Sequence, residues 1–283
     1  MYKTQQHSIE NRPPMRKTGP GLQWITGSSA GNSADAAALV QRNGRVNCGH
    51  AAGARAGQIA RSLGLLLEQL PVRRRLVHAG DLVFEAGMPF NQLYVINSGS
   101  VKVVNTAADG RNQVVGLLLR GDWLGFDGIA KGQYGCTAQA LEVGEVWALR
   151  YDELLRAASS HPQLLIELHT EMSRAITRGR DAMLSVCTLP VAARVAEFLR
   201  QWAESLAVRG LRNDQIILRM SRAEIGNYLG MTLESVSRAL SSLERAKVIC
   251  FTERGRRLLH IPDPQALSDF IQAEGQAAGA TLQ

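Results

Sequence analysis

Glu234, Ser237 and Arg238 have side chains suited to reading the edges of nucleic-acid bases, and their spacing places them on one face of a helix. The fork of Arg238 can grip O6 and N7 of guanine, and Glu234 can accept a hydrogen bond from N4 of cytosine. Ser237 is short enough to approach a thymine edge. The alternative is an ordinary solvated helix face with an ion pair between Glu234 and Arg238. A carboxylate close to phosphates would be repelled, which favours base contact for Glu234.

The segment around these residues carries the start and stop signals of two short helices. Ser221 followed three residues later by Glu224 forms a capping box, which opens the first helix. Gly230 suits the turn because glycine accepts positive φ at little cost, and Thr232 is the next N-cap. Two capped helices joined by a short glycine-containing turn predict a helix-turn-helix.

Apolar residues mark the inward faces of these two helices. We expect the buried set to be Ile225, Tyr228 and Leu229 on the first helix, and Leu233, Val236, Leu240 and Leu243 on the second. Residues 248–252 and 257–261 then flank a basic turn, which predicts a β-hairpin wing close to phosphates. The predicted contacts to the nucleic-acid backbone are Ser221, Arg222, Thr232, Ser235, Ser241, Arg254 and Arg256.

The distribution of charge favours a polyanionic partner. The 283 residues carry a formal net charge of +7. Residues 1–75 contain 11 Lys or Arg and 3 Asp or Glu, and residues 191–260 contain 12 and 7. Such basic segments, beside nearly neutral ones, are typical of nucleic-acid binding on one part of a molecule.

Other function classes find little support in the sequence. No nucleophile–base pair, metal-ligand spacing or phosphate loop is present, so we predict neither an enzyme nor a metal site. No run approaches the roughly 18 apolar residues of a membrane span, and the N-terminus lacks a secretory pattern. We therefore expect a cytoplasmic protein without membrane contact. The cysteines are far apart in the sequence, which predicts free, mostly buried thiols at Cys48, Cys136, Cys187 and Cys250.

Composition and periodicity divide the chain into five segments. Residues 1–58 are rich in small and polar residues and are predicted to be a disordered basic arm. The alternative is that the start of the protein has been assigned upstream of its true N-terminus. Residues 59–160 open with a helical repeat and continue as short β-rich runs, which predicts a small all-β barrel or sandwich that acts as a sensor. A long helix is predicted within residues 161–189. Residues 190–265 form the winged helix-turn-helix, and 266–283 a C-terminal tail.

The long helix carries one apolar stripe. Its predicted dimerisation residues are Leu165, Leu168, Met172, Ile176 and Met183. The stripe could pair with its copy in a homodimer or cover the protein's own barrel, and periodicity alone does not separate these two arrangements.

Two segments resemble the Crp/Fnr family of bacterial regulators, specifically its Fnr-like branch. The longer is residues 219–238, and the other joins residues 121–127 with 138–142 of the barrel. The resemblance covers roughly residues 60–265. It implies an α+β fold with a cyclic-nucleotide-binding-like β-roll, a long dimerisation helix and a C-terminal winged helix. It also implies an activator that contacts RNA polymerase, and a homodimer in which Glu234, Ser237 and Arg238 read the inverted repeat TTGAT-N4-ATCAA.

The sequence departs from the family pattern at the positions that bind a cyclic nucleotide or an iron–sulfur cluster in other members. Positions that hold the cyclic phosphate in cyclic-nucleotide-binding members correspond here to Phe126, Gly135 and Cys136, so we expect no cyclic AMP binding. The barrel position of the family's cluster ligand corresponds to Trp147, and Cys48 alone precedes the barrel. We therefore expect no 4Fe–4S cluster.

Three modes of control remain open. One is haem, as in relatives that respond to nitric oxide, with His78, His161 or His169 as candidate ligands. Another is thiol redox chemistry at Cys250. The third is no ligand at all, with control through protein abundance. A regulatory module with a vestigial DNA-binding domain is a competing function, which the missing phosphate anchor disfavours.

Overall fold

The computed structural model describes residues 48–253 and 255–280, with side chains from residue 53 to residue 277. Helix α1 spans Cys48–Gln69, so residues 48–58 are helical and their assignment to a disordered arm is wrong. This segment is rich in alanine, which has a high helix propensity, and its side chains reach other elements. Arg55 bonds to Glu171, and Gln58 to Arg174. The rest of the predicted arm, residues 1–47, lies outside the described residues.

The predicted sensor consists of short antiparallel strands in two sheets packed face to face, which we call the barrel. Its strands are β1 (Arg73–Val77), β2 (Leu82–Phe84), β3 (Gln92–Ser98), β4 (Ser100–Thr106), β5 (Asn112–Leu119), β6 (Trp123–Leu124), β7 (Thr137–Ala140) and β8 (Gly144–Arg150). One sheet has the order β1-β8-β3-β6 and the other β2-β7-β4-β5. Apolar side chains from both sheets, including Val83, Ile96 and Val146, form the core between them.

Two helices follow the barrel, α2 (Tyr151–Ser160) and α3 (Pro162–Thr188). A second core lies where α1 and α3 pack on the outside of the barrel. Ile59 and Leu66 of α1 are buried there against Trp123 and Trp147. Gly121, with φ of 86°, lies so close to Ile59 that a Cβ atom would come within 2.7 Å of its side chain.

The apolar stripe on α3 divides between two surroundings. Leu168 is only 3% exposed and packs with Met172 in the core beneath α1, so the prediction of Leu168 as a dimerisation residue is wrong for this fold. Ile176 and Met183 are 54% and 70% exposed, and Leu165 is partly exposed. The helix therefore covers its own barrel with one face and leaves a second apolar face uncovered.

The C-terminal domain is built from helices and a small sheet. Its elements are α4 (Val191–Ala207), β9 (Gln215–Ile217), α5 (Arg222–Leu229), α6 (Leu233–Arg245), β10 (Cys250–Phe251), β11 (Leu258–His260) and α7 (Pro264–Ala280). The sheet order is β10-β11-β9, so the predicted hairpin has a third strand that the sequence pattern did not indicate.

Residues 266–283 were predicted to be a tail, and the structure corrects this as far as residue 280. Helix α7 packs against α4, with Leu267 fully buried and Phe270 partly buried in the domain core. The segment belongs to the domain because its apolar face completes that core. Across the described part of the chain, none of the helices combines the length and the apolar character needed to cross a membrane.

Candidate nucleic-acid interface and sensor site

The capping box at the start of α5 has both of its hydrogen bonds. The Glu224 backbone N–H donates to Ser221 Oγ over 3.2 Å, and the Ser221 backbone N–H donates to Glu224 Oε2 over 2.7 Å. These bonds satisfy amide groups that an uncapped helix leaves without partners. They orient the N-terminus of α5, which crosses the nucleic-acid backbone in helix-turn-helix complexes.

The turn between α5 and α6 depends on two glycines. Gly230 ends α5 with φ of 65°, the left-handed conformation predicted for this position. A Cβ atom on Gly226 would lie 2.6 Å from the Met231 carbonyl oxygen. The two helices therefore approach as closely as they do because residue 226 has no side chain. Thr232 then caps α6 by accepting from the Ser235 backbone N–H over 3.2 Å.

Helix α6 buries one face in the domain and leaves the other exposed. Val236, Leu240 and Leu243 are buried as predicted. Leu233 is 46% exposed, so its predicted burial is wrong, because the first turn of α6 projects beyond the core.

The residues predicted to read bases lie on the outer face of α6. Glu234 and Arg238 are exposed, and Ser237 is half-buried with its hydroxyl accepting from Arg222 over 3.2 Å. Bonds from its own backbone N–H and from the Thr232 hydroxyl lower the pKa of Glu234, and the charge of Arg238 adds to this. Glu234 is therefore ionised and available as an acceptor next to a guanidinium donor.

The candidate backbone contacts differ in how available they are. Ser221 and Thr232 use their hydroxyls as helix caps. Arg256 pairs with Glu244 over 2.6 Å and lies over the Phe251 ring, so it must leave both partners to reach a phosphate. Arg254 lies outside the described residues. The remaining candidates, Arg222, Ser235 and Ser241, are partly exposed on α5 and α6.

Contacts between the barrel and α5 were not foreseen from the sequence. The Asn227 side chain accepts from the Val114 backbone N–H over 2.5 Å and donates to the Asn112 carbonyl over 2.7 Å. It thus pairs with the edge of β5 as a neighbouring strand would. Lys102 of β4 forms an ion pair with Glu224, and Arg219 pairs with Glu142. The sensor barrel is therefore bonded directly to the helix-turn-helix.

A carboxylate bonds to the backbone of Gly135 and Cys136, two residues that the family resemblance led us to compare with the phosphate site. Asp127 Oδ2 accepts from the backbone N–H groups of Gly135 over 2.6 Å and of Cys136 over 3.0 Å. Burial raises the pKa of the Cys136 thiol, and the Asp127 carboxylate raises it further. The two amides that converge on this point already have an anionic partner within the chain.

The other candidate sensing residues are dispersed. Trp147 is buried in the core between α1 and the barrel, and its ring N–H donates to Glu145. His78 follows β1 and is exposed, His161 lies between α2 and α3, and His169 is exposed on α3. Among the described residues, no three His, Cys, Asp or Glu side chains are grouped so that they could hold a metal ion.

The thiols differ from the predicted burial. Cys187 and Cys250 are exposed and Cys136 is partly buried, all three being free. Cys250 lies on β10 with its side chain turned to solvent, because the two-residue strand buries little of its surface. The Cys48 side chain lies outside the described residues.

Both domains match known protein families. Residues 74–161 match the cyclic nucleotide-binding domain, and residues 193–270 match the Crp-like helix-turn-helix domain. The first match contains the barrel and α2, and the second contains α5, α6 and the wing.

Individual relatives are regulators of transcription by name. The chain is 35% identical over 196 residues to the transcriptional regulatory protein btr of Bordetella pertussis, covering 69% of this chain and 81% of the relative. It is 32% identical to the fumarate and nitrate reduction regulatory protein of Yersinia pestis, covering 65% of this chain and 73% of the relative. The structure of FixK2 from Bradyrhizobium japonicum aligns with a TM-score of 0.62 at 27% identity, covering 71% and 97% of the two chains.

Proposed function

Because the chain belongs to the Crp/Fnr family of DNA-binding transcription regulators, we propose that it acts as a homodimer on the inverted repeat TTGAT-N4-ATCAA. The observation that carries this proposal is the outer face of α6, where Glu234 and Arg238 are exposed next to Ser237. Arg238 would hold guanine and Glu234 the paired cytosine, while Ser237 approaches thymine. Arg222, Ser235 and Ser241 flank this face and would contact phosphates.

The second apolar face of α3 supports the dimer. Ile166, Ile176 and Met183 are each more than half exposed, at spacings of ten and seven residues. Such spacings keep residues on one seam of a two-stranded coiled coil. Two α3 helices packed along this seam would bury these side chains and relate the two recognition helices by a two-fold axis. Half-sites one helical turn apart require that symmetry.

We propose further that DNA binding requires neither a cyclic nucleotide nor an iron–sulfur cluster. The Asp127 carboxylate already occupies the amides of Gly135 and Cys136, and a cyclic phosphate placed there would be repelled by it. The family's arginine is absent from this position. The barrel position for a cluster cysteine holds Trp147, which is packed among apolar side chains. These two features support the proposal that neither ligand is needed for DNA binding.

Activation through RNA polymerase is part of the same proposal and is supported by the family relationship alone. A promoter with the repeat upstream of a weak core element tests it in a purified transcription reaction. Transcripts should increase with wild-type protein and not with Arg238→Ala. Repression at every distance between the repeat and the core promoter element would contradict an activator role.

The decisive experiment is DNA binding by fluorescence anisotropy at fixed salt, with a duplex carrying the repeat and a scrambled duplex. Arg238→Ala should weaken binding to the repeat by about 1–3 kcal/mol and leave binding to the scrambled duplex nearly unchanged. Arg245→Ala is the matched control, because Arg245 is exposed at the far end of the same helix. We expect it to weaken binding to both duplexes alike, as a backbone contact does. If Arg238→Ala weakened binding to both duplexes equally, as expected for Arg245→Ala, the assignment of Arg238 to base reading would be rejected.

Thiol control is the second candidate, favoured by the exposure of Cys250 on β10. Oxidation would add a polar group to a strand that follows the recognition helix. Peroxide treatment should then weaken binding to the repeat in the wild type and not in Cys250→Ser. Equal sensitivity of both proteins would remove this candidate and leave haem or protein abundance as the mode of control.

A further inference from the structure

Four guanidinium groups converge on one cavity where α1, the barrel, α3 and α4 meet. The cavity has a volume of about 310 Å³, and its lining includes Arg55, Arg174, Arg178 and Arg209. Arg209 follows the C-terminus of α4, whereas Arg174 and Arg178 lie one turn apart on α3. Hydroxyl side chains of Ser173 and Ser205 lie in the same lining.

The buried carboxylates of this junction neutralise only part of its charge. Asp122 is 3% exposed and pairs with Arg178 over 3.1 Å and with Arg209 over 2.8 Å. Glu171 is 1% exposed and pairs with Arg55 over 3.1 Å and with Arg174. Four arginines therefore share two carboxylates, which leaves an excess of two positive charges.

Two further observations show that the arginines are incompletely compensated. The Nη1 atom of Arg55 is buried and has no hydrogen-bond partner among the described residues, and the same holds for Oε2 of Glu171. Burial lowers the pKa of Arg209, and the positive charges of Arg55 and Arg178 lower it further against the opposing effect of Asp122. A guanidinium stays protonated in proteins, so this repulsion is present in the folded molecule and an added anion would relieve it.

A second cavity adjoins the first, and its lining includes the charged residues Asp181, Arg200 and Glu204. It has a volume of about 350 Å³ and shares Leu117, Leu119, Arg178 and Ser205 with the arginine cavity. Its far side includes the aromatic residues Phe198, Trp202 and Tyr228. Together the two spaces have the size of a small-molecule site with a cationic end and an end lined by both aromatic and charged side chains.

We propose that the arginine cavity binds a small phosphorylated metabolite, with a dianionic phosphate among Arg55, Arg174, Arg178 and Arg209. Arginine is suited to this because its fork donates two parallel hydrogen bonds to phosphate oxygens. The rest of the ligand would lie in the adjoining cavity, where aromatic and polar side chains are both available. A ligand held there touches the barrel, α3 and the end of α4, so its binding would stabilise their present arrangement.

A double variant removes the excess positive charge and still leaves each buried carboxylate with one arginine partner. In Arg55→Gln/Arg178→Gln, Glu171 keeps Arg174 and Asp122 keeps Arg209. The matched control is Arg61→Gln/Arg73→Gln, which removes the same charge from exposed positions on α1 and β1. Arg238→Gln is a second control, because the DNA-reading face could also attract anions.

Thermal unfolding and calorimetry with inorganic pyrophosphate, at constant ionic strength and without DNA, test the site in the full-length chain. Pyrophosphate should raise the melting temperature of the wild type and of both control proteins. Affinity should fall about tenfold or more in Arg55→Gln/Arg178→Gln. Either of two results would overturn the proposal. One is the absence of pyrophosphate binding to the wild type, and the other is unchanged affinity in Arg55→Gln/Arg178→Gln.

Discussion

Lys102 of the sensor barrel forms an ion pair with Glu224 of the helix-turn-helix. The Lys102 ammonium bonds to Oε1, while Oε2 accepts from the Ser221 backbone N–H over 2.7 Å. One carboxylate thus closes the capping box of α5 and joins the two domains. A change in the barrel that moved Lys102 would act directly on the N-terminus of the first helix of the helix-turn-helix.

The Lys102–Glu224 pair should give a measurable coupling energy. A double-mutant cycle with Lys102→Met and Glu224→Gln, followed by urea unfolding at pH 7, should yield about 0.5–1 kcal/mol, since the pair is partly exposed. Burial raises the pKa of Glu224, but bonds from Lys102 and Ser221 outweigh it and leave the pKa below its ordinary value of 4.5. The ionised carboxylate therefore stabilises the fold above pH 4.5.

That stabilisation is lost as the pH falls through the lowered pKa, so the coupling should shrink in acid. Lys131→Met, at an exposed barrel position, is the control for loss of one lysine. A coupling energy that stayed constant down to pH 3 would show that the pair is not electrostatic in origin.

Asn227→Ala should loosen the junction between β5 and α5. The substitution leaves the Val114 N–H and the Asn112 carbonyl without the side chain that bonds them, at a cost of about 1–3 kcal/mol. Hydrogen exchange should report it as faster exchange of the Val114 amide. Asn105→Ala, at an exposed position on β4, should leave that amide protected. Unchanged exchange at Val114 would mean that the contact does not persist in solution.

Gly226→Ala and Gly179→Ala should change stability in opposite directions. A Cβ atom on residue 226 would meet the Met231 carbonyl at 2.6 Å, so the turn must open and the unfolding free energy should fall by about 1–3 kcal/mol. A Cβ atom on residue 179 has open space around it in a single protomer, so alanine there should stabilise by about 0.5–1 kcal/mol in a background where Ile176→Glu keeps the seam unpaired. Urea denaturation measures both. Equal tolerance at the two positions would contradict the close approach of α5 and α6.

Substitutions at Leu168 and Ile176 should have different effects, the first on folding stability and the second on dimer formation. Leu168→Ala removes a buried side chain and should lower the unfolding free energy by about 2–5 kcal/mol. Ile176→Glu places a charge on the exposed seam and should convert dimers to monomers with the secondary structure unchanged. Sedimentation measures the mass, and Gln163→Glu is the control for an added charge elsewhere on α3. A dimer that survives Ile176→Glu would move the interface to another surface.

Cys136 should react more slowly with iodoacetamide than the exposed thiols. Burial and the neighbouring Asp127 raise its pKa, so little thiolate is present at neutral pH. Mass spectrometry of partly labelled protein should show Cys187 and Cys250 modified first. Asp127→Asn keeps an acceptor for the two amides but removes the charge, so labelling of Cys136 should become faster. If the rate is insensitive to this variant, access alone protects the thiol.

Local signals in the sequence determined much of the site. The capping box of Ser221 and Glu224, the glycine turn at residue 230 and the cap at Thr232 each involve neighbours within three residues, so their geometry follows from local backbone chemistry. The same holds for the outer face of α6, because a period of 3.6 residues puts Glu234 and Arg238 together wherever the helix packs. The barrel strands were predictable because alternation with a period of two residues is also a local pattern.

The tertiary structure alone decided which of two equivalent surfaces an element uses. Leu168 and Ile176 belong to one apolar stripe, and only the packing of α1 onto the barrel buries the first and leaves the second exposed. Asn227 meets Asn112 across 115 positions of sequence, and Arg55 meets Glu171 across 116. Periodicity carries no information about such pairs, because they form only when separate elements dock. The link from barrel to helix-turn-helix, and the arginine cavity beside it, are therefore properties of the folded chain.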